Sequence, residues 1–410
     1  MMAGVDTLSV QRQPSTDLGW GRGGKLLRLG FCVFLAGFFL IPDGQPHNNV
    51  FYLTGLAALF MARSLGLGWF LRAPAVLALL AFMALGVLSH AWNPQAGGEE
   101  ALEHAKDAFY LLTFLYVAAR FGVSEIDRLW AERVLVVAAA LGALLAMVLF
   151  FGEWGASHHG RMVGWGRLDH PNVMASAMAI AAVFAGHLAV RDGGWRRGAW
   201  LLCLVLVVSA AWFTQSRTGL LAVVAAAFVL AWFSGGWVRW LSLAVLLTGV
   251  ALLVAAQFFP EHWPRILSLS DEARVAIYTD TLRKGMEAPW FGHGVGGEHM
   301  VAEYRGHNYH PHNFLLMAFY NLGVAGVLLL TVSLVLAGRA LISGATTDRW
   351  LAAALTVGIV CMSTEAYHLI HRPGAPYLYF WLPFAWALAR ERRLSAETGK
   401  AASAKLWRTP

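Results

Sequence analysis

The chain has 410 residues, of which 58% are hydrophobic and only 13% charged, and its mean hydropathy is +0.55. A soluble domain carries roughly 25% charged residues, so the composition excludes a soluble globule and points to one all-α, polytopic membrane domain. The net charge of +7 would suggest nucleic acid in a soluble chain; here it fits an excess of Lys and Arg in cytoplasmic loops, and no nucleic-acid partner is expected.

Twelve apolar spans are predicted in chain order: 26–42, 49–68, 73–91, 105–121, 129–151, 171–190, 198–214, 218–234, 238–259, 313–337, 350–369 and 375–389. Arg22, Lys25 and Arg28 precede the first. No small-residue cleavage site follows it in Ile41-Pro42-Asp43-Gly44, so it reads as a retained helix and not a signal peptide. Residues 1–259 thus hold nine spans, 260–312 one large polar loop, 313–389 three further spans, and 390–410 a polar, flexible tail. Cys32, Cys203 and Cys361 all lie in apolar runs, so neither a disulfide nor a cysteine metal site is expected.

Inside the loop a helix is predicted near 271–286. Asp271 and Glu272 suit its start, and Arg283 and Lys284 its end. Val275, Tyr278, Leu282 and Met286 form an apolar stripe at helical spacing, expected to pack onto the membrane domain.

Orientation follows from the basic residues. With both termini cytoplasmic, twenty-one of the thirty-one Lys and Arg residues fall on inner segments and span ends. Fourteen of the fifteen histidines fall in or beside outer segments instead; only His187 lies toward an inner end. The polar chemistry is therefore concentrated on the outer face.

Four groups there could carry chemistry. His312-Asn313 sits where the loop enters span 313–337, with Gly323 and Gly326 about three and four turns lower. His312 suits general-base work; equally, it could be an interfacial or capping residue above a helix-packing motif. Ser216-Arg217-Thr218 forms a short outer turn, where Arg217 could grip phosphate bidentately or snorkel to headgroups. Arg161, Arg167, Asp169, His170, Pro171 and Asn172 lead into span 171–190, whose N-terminus would favour an anion; a plain loop and helix start is the other reading. Arg265 and Arg274 lie in the loop, Arg274 sharing a helix face with Tyr278.

Two other patterns carry less. Gly292-x-Gly294-x-x-Gly297 matches a dinucleotide fingerprint but lacks the βαβ unit that such a site needs. His293, His299, His307, His310 and His312 match no standard zinc spacing, so no metal is expected. Deep charges are nearly absent from the spans, Glu365 being the clearest exception, which argues against a proton-coupled transporter.

On these residues the chain resembles the bacterial O-antigen ligase family, within the superfamily that includes O-antigen polymerases and protein O-oligosaccharyltransferases. His312-Asn313-x9-Gly323-x2-Gly326 fits the ligase pattern, Ser216-Arg217 resembles the Ser-Arg element and His170-Pro171-Asn172 the His-Pro-Asn element. Arg274 with Pro289 and Gly292-x-Gly294 resembles the loop's Arg…Pro…Gly-x-Gly pattern; Arg265 is carried over without a tight motif. The resemblance implies a GT-C-like glycosyltransferase of the bacterial inner membrane. It would move a glycan from undecaprenyl diphosphate to lipid A–core on the periplasmic face, with inversion and with neither metal nor cofactor. His312 would be the base, with Asp169 and Glu298 as competitors. Arg217 and Arg274, with Arg161, Arg167 or Arg265, would hold the diphosphate, and Ser216, His170, Asn172, Asn313, Tyr278 and His310 would support. A protein O-oligosaccharyltransferase or O-antigen polymerase would share the donor residues, and a lipid or polysaccharide transporter is the non-enzyme alternative.

Overall fold

The computed structural model describes residues 22–62, 66–155, 157–258, 272–296, 300–342, 346–365 and 369–406. Helices dominate: α1 (Arg22–Leu40), α2 (Gly44–Phe60), the short α3 (Leu67–Leu71), α4 (Pro74–Leu88), α5 (Gly98–Val123), α6 (Glu125–Phe151), α7 (Pro171–Arg191), α8 (Gly194–Phe213), α9 (Arg217–Phe233), α10 (Gly236–Phe258), α11 (Glu272–Gly285), α12 (Phe314–Arg339), α13 (Thr346–Glu365) and α14 (Leu382–Leu406). Each of the twelve expected intervals overlaps helix among the described residues. Five spans among the described residues are long and apolar enough to cross a membrane: Pro74–Ala91, Glu125–Phe151, Pro171–Arg191, Gly194–Phe213 and Phe314–Arg339.

Strands are the first departure from the all-α expectation. Two short antiparallel hairpins occur, β1 (Ser157–His158) with β2 (Arg161–Met162), and β3 (Ala302–Tyr304) with β4 (His307–Tyr309). Their turns, His159-Gly160 and Arg305-Gly306, hold both residues at positive φ, as tight two-residue hairpin turns require. The tail is the second departure: α14 continues through residue 390 to Leu406 instead of giving way to coil. Its sequence there is rich in Ala, Glu, Lys and Leu, all strong helix formers. α2 also ends at Phe60, short of the expected 68, and a separate short helix follows at α3.

The core is built around α7. Pro171 opens it at a position where a missing N–H costs nothing. Its alanines then let neighbours approach closely; a Cβ on Gly219 of α9 would come within 2.7 Å of the Ala175 methyl. Of its membrane window 83% is buried, against 11% for α8, so α7 is central and α8 peripheral.

Ionisable groups cluster at the two ends of the bundle. Near the start of α6, Glu132 pairs with Arg128 and takes His187 Nδ1 at 2.8 Å, all three buried. Glu132 is therefore a second buried carboxylate inside an expected span, besides Glu365. It is tolerated because both of its oxygens are engaged. Arg28–Asp127 and Arg390–Asp348 pair in the same helix-end region, at 2.9 and 2.7 Å.

The loop helix forms where its end charges predict, at Glu272–Gly285. Its apolar stripe packs inward only at Tyr278, which is half-buried; Val275, Leu282 and Met286 are exposed. Thr281 and Gly285 are buried instead, Gly285 lying against the Phe319 ring of α12. Small residues permit the closer approach, so the inward face is the one that ridge packing favours.

Candidate active site

His312 lies in the turn between β4 and α12, with φ +50, a left-handed conformation uncommon for a side chain bearing Cβ. Two neighbours hold it there. The buried His310 accepts the His312 N–H on Nδ1 at 2.9 Å. Asn313 caps α12, its Oδ1 accepting the N–H groups of Leu315 and Leu316 at 3.0 and 3.1 Å. Asn313 is thus a capping residue and His310 a positioning one. Burial, then the Arg274 guanidinium, then His170 push the His312 imidazole down to about 4. It is unprotonated at neutral pH.

Facing this turn, Glu365 joins three segments at the end of α13. It accepts Asn172 Nδ2 at 2.7 Å and Thr218 Oγ1 at 3.3 Å, and Arg274 Nη2 lies 4.0 Å away. Asn172 in turn accepts Arg161 Nη2 at 2.6 Å, while Arg161 Nε donates to the Thr214 carbonyl at 2.8 Å. Arg161 thereby fixes the Thr214–Gln215 turn, and Ser216 caps α9 by accepting the Gly219 N–H at 3.5 Å. Arg217 is the first residue of α9 and is exposed, immediately before Thr218. From the loop, Tyr278 donates its hydroxyl to the Ser363 carbonyl at 3.2 Å. That contact docks α11 on α13, and Arg274, one turn earlier, reaches Glu365. His170 is the N-cap residue of α7, and its imidazole is pushed down by burial, then by Arg161 and His158.

Five of the residues singled out from sequence therefore share one cluster with His312: Arg161, His170, Asn172, Arg274 and Tyr278. Ser216 and Arg217 adjoin it through Thr218. Glu365 was marked only as an ionisable residue in an apolar span, which was the available signal for its role. Arg167 sits elsewhere: it donates to His47 Nδ1 at 3.0 Å, to the Gly44 carbonyl at 3.2 Å and to Asn48, fastening the Gly166–Leu168 turn onto α2. Asp169 is exposed. Arg265, Glu298 and His299 lie outside the described residues. His293 donates Nε2–H to the Lys284 carbonyl at 2.8 Å, and His307 is exposed on β4.

The glycine pattern has a different basis from the one expected. Gly323 breaks α12 with φ 61 and ψ −160, and the loop backbone enters the break. Val324 N–H donates to Pro289, Ala325 N–H to Trp290, His293 N–H to Tyr320 and Gly294 N–H to Asn321. The close approach is therefore between loop and helix backbone, not between two helices. Ser89 and Asn93, just beyond the end of α4, clamp the same loop: Asn93 Nδ2 donates to the Gly296 carbonyl at 2.8 Å and Ser89 Oγ accepts the Val295 N–H at 2.8 Å.

Residues 201–331 match the family model described as O-antigen ligase. Over that segment the chain is similar to O-antigen ligases. This match takes in Ser216, Arg217, Arg274, His312, Asn313, Gly323 and Gly326. Arg161, His170, Asn172 and Glu365 lie outside the matched segment, so the cluster joins that segment to α7 and α13. No curated protein matches the chain at a significant level.

Proposed function

We propose that this protein transfers a glycan from undecaprenyl diphosphate to lipid A–core, at the periplasmic face of the bacterial inner membrane. The observation that carries this reading is the meeting of one neutral imidazole, His312, with the Arg274, Arg161 and Glu365 cluster at the end of the loop.

In the reaction the acceptor hydroxyl oxygen attacks the anomeric carbon as the bond to the diphosphate breaks. His312 takes the hydroxyl proton, and the bonding pair leaves with the diphosphate. A single displacement inverts the anomeric centre. Arg274 and Arg217 stabilise the leaving charge; Arg161 acts mainly by fixing the Arg217 turn. Preorganised electrostatic contacts of this kind are typically worth on the order of 10²–10³ in rate each, so no cofactor or metal is needed in the scheme. Arg265 is a further candidate on its sequence position, and Arg167 is the weakest because its guanidinium is committed to α2.

The test is incubation of purified protein with undecaprenyl-diphosphate glycan and, in separate reactions, lipid A–core, a protein acceptor or no added acceptor. Glycosylated lipid A–core is the expected product. Lengthened donor glycan would mark a polymerase, glycoprotein a protein O-oligosaccharyltransferase, and donor movement across vesicles without transfer a transporter.

A further inference from the structure

A polar cavity lies between α4, α5 and the first half of α12, beside the turn that carries His312. It has a volume of about 320 Å³, within the range of small-ligand sites. Its polar lining is His90, Glu100, Glu103, His104, Asp107 and His371. The opposite wall is the first half of α12, from Phe314 and Met317 to Asn321. None of these residues belongs to the arginine cluster.

The lining selects a chemistry. Carboxylates are acceptors only, and several converging on one space suit a ligand rich in hydroxyl donors. Phe314, Met317 and Leu322 supply the apolar surface against which the C–H face of a pyranose ring can rest. Among the described residues no arginine or lysine lines the cavity itself, though Lys106 and Arg372 stand beside Glu103 and Asp107; a phosphate or a uronate would meet three lining carboxylates with no lining guanidinium or ammonium to pair with. The diphosphate thus belongs with the arginines and a neutral sugar with this cavity.

Chain geometry connects the two. Phe314 is two residues from His312, so their Cα atoms are at most about 7 Å apart. The loop segment that enters the Gly323 break also supplies Val295 and Gly296 to the cavity wall. A Cβ on Gly296 would come within 2.9 Å of Glu100 Oε2. The glycine at this position keeps that carboxylate clear.

We propose that the cavity between α4, α5 and the first half of α12 binds the acceptor as a neutral, hydroxyl-rich sugar, and delivers one of its hydroxyls to His312. This rests on the glycosyl-transfer reading above and adds to it where the acceptor sits. Glu103→Gln removes one charged acceptor, and Met317→Trp fills the cavity from the opposite wall. Kinetics with lipid A–core and undecaprenyl-diphosphate glycan should show acceptor KM raised roughly tenfold by the first and more by the second, with donor KM within twofold. Equal rises in both KM values, or none, overturn the proposal. A binding measurement keeps it separate from the reaction: saturation-transfer NMR with methyl glucoside and methyl glucuronide. The neutral glycoside should give a signal that Met317→Trp abolishes, and the glucuronide should bind at least tenfold more weakly. If wild-type protein transfers nothing yet binds the neutral glycoside in this way, the transfer reading fails and the sugar site stands. Absence of that signal, or preference for the glucuronide, removes the site even if transfer is active.

Discussion

Gly292 and Gly323 cross backbone to backbone: a Cβ on Gly292 would overlap the Asn321–Leu322 peptide, and one on Gly323 the Trp290–Phe291 peptide. Both residues also have positive φ, 68 and 61. The ψ of −160 at Gly323 places it in a region that is essentially restricted to glycine and costs a residue with Cβ on the order of 1–3 kcal/mol. Gly323→Ala is therefore expected to lose at least that much stability, with the overlap added, and to release residues 289–294 from α12. Thermal unfolding in detergent and protease sensitivity of the loop check this. A variant as stable and as protease-resistant as wild type would contradict the crossing.

His312→Ala should lower glycan transfer by on the order of 10²–10⁴, the usual worth of a positioned general base, while donor binding stays within a few fold. His310→Ala should be milder. It removes the acceptor of the His312 N–H at 2.9 Å and so loosens a left-handed turn without touching the imidazole. His310→Asn, which retains an acceptor, should recover part of the loss. Transfer rate and donor affinity measured on all three variants separate a base from a structural histidine, since a merely structural residue would depress both together.

Much of this was legible in the sequence because it depends on local pattern. Apolar length placed the helices, and end charges placed α11 at Glu272–Gly285. What pattern could not show was long-range backbone pairing. Gly323 and Gly292 read as helix-packing and fingerprint glycines because the partner of each is a peptide just before the other, some thirty residues away. Glu365 was visible as a charge in an apolar span, but its partners Asn172, Thr218 and Arg274 lie on three other elements. Arg167 shows the converse. Sequence proximity grouped it with Arg161, yet it turns to α2. The stripe of α11 failed, Tyr278 apart, for a related reason: the rest of the helix docks through Thr281 and Gly285, small residues that carry little hydropathy.

Glu365 is expected to act as a positioning residue. Glu365→Ala removes the common acceptor of Asn172 and Thr218 and the anion beside Arg274. A buried hydrogen bond to a charged group is worth about 1.5–3 kcal/mol, so donor KM should rise roughly ten- to a hundredfold. Glu365→Gln retains an oxygen for Asn172 and should lie between the two. Selective loss of acceptor KM with donor KM unchanged would count against this placement.

Asp280 makes the docking of the β3–β4 hairpin pH-dependent. Burial is the largest single influence and raises its carboxyl, but the Glu303 N–H, Arg283 and Lys284 together outweigh it and hold the group down to about 2. A carboxyl depressed in the folded state stabilises above its ordinary value, near 3.8, and loses that contribution as pH falls toward 2. Hydrogen exchange of residues 302–309 should therefore accelerate below about pH 4. Asp280→Asn should show the faster exchange already at pH 7, with no further change on acidification.

The pH dependence of transfer should identify His312 and its partner together. In the donor-free protein its imidazole lies at about 4, against 6.5 for an unperturbed group, because of burial first and Arg274 second. The unfolded chain then binds more protons than the folded one between those two values, so this group's contribution to stability is complete above about 6.5 and declines as pH falls toward 4. The profile of kcat/KM, which reports the free enzyme, should have its acidic limb near 4. A bound diphosphate offsets the field of Arg274, so the limb in kcat should move upward, toward neutral pH. Arg274→Gln removes one of the lowering causes and should shift the kcat/KM limb upward as well, narrowing the gap between the two profiles. If Arg274→Gln leaves that limb where it was, the base being titrated is not His312.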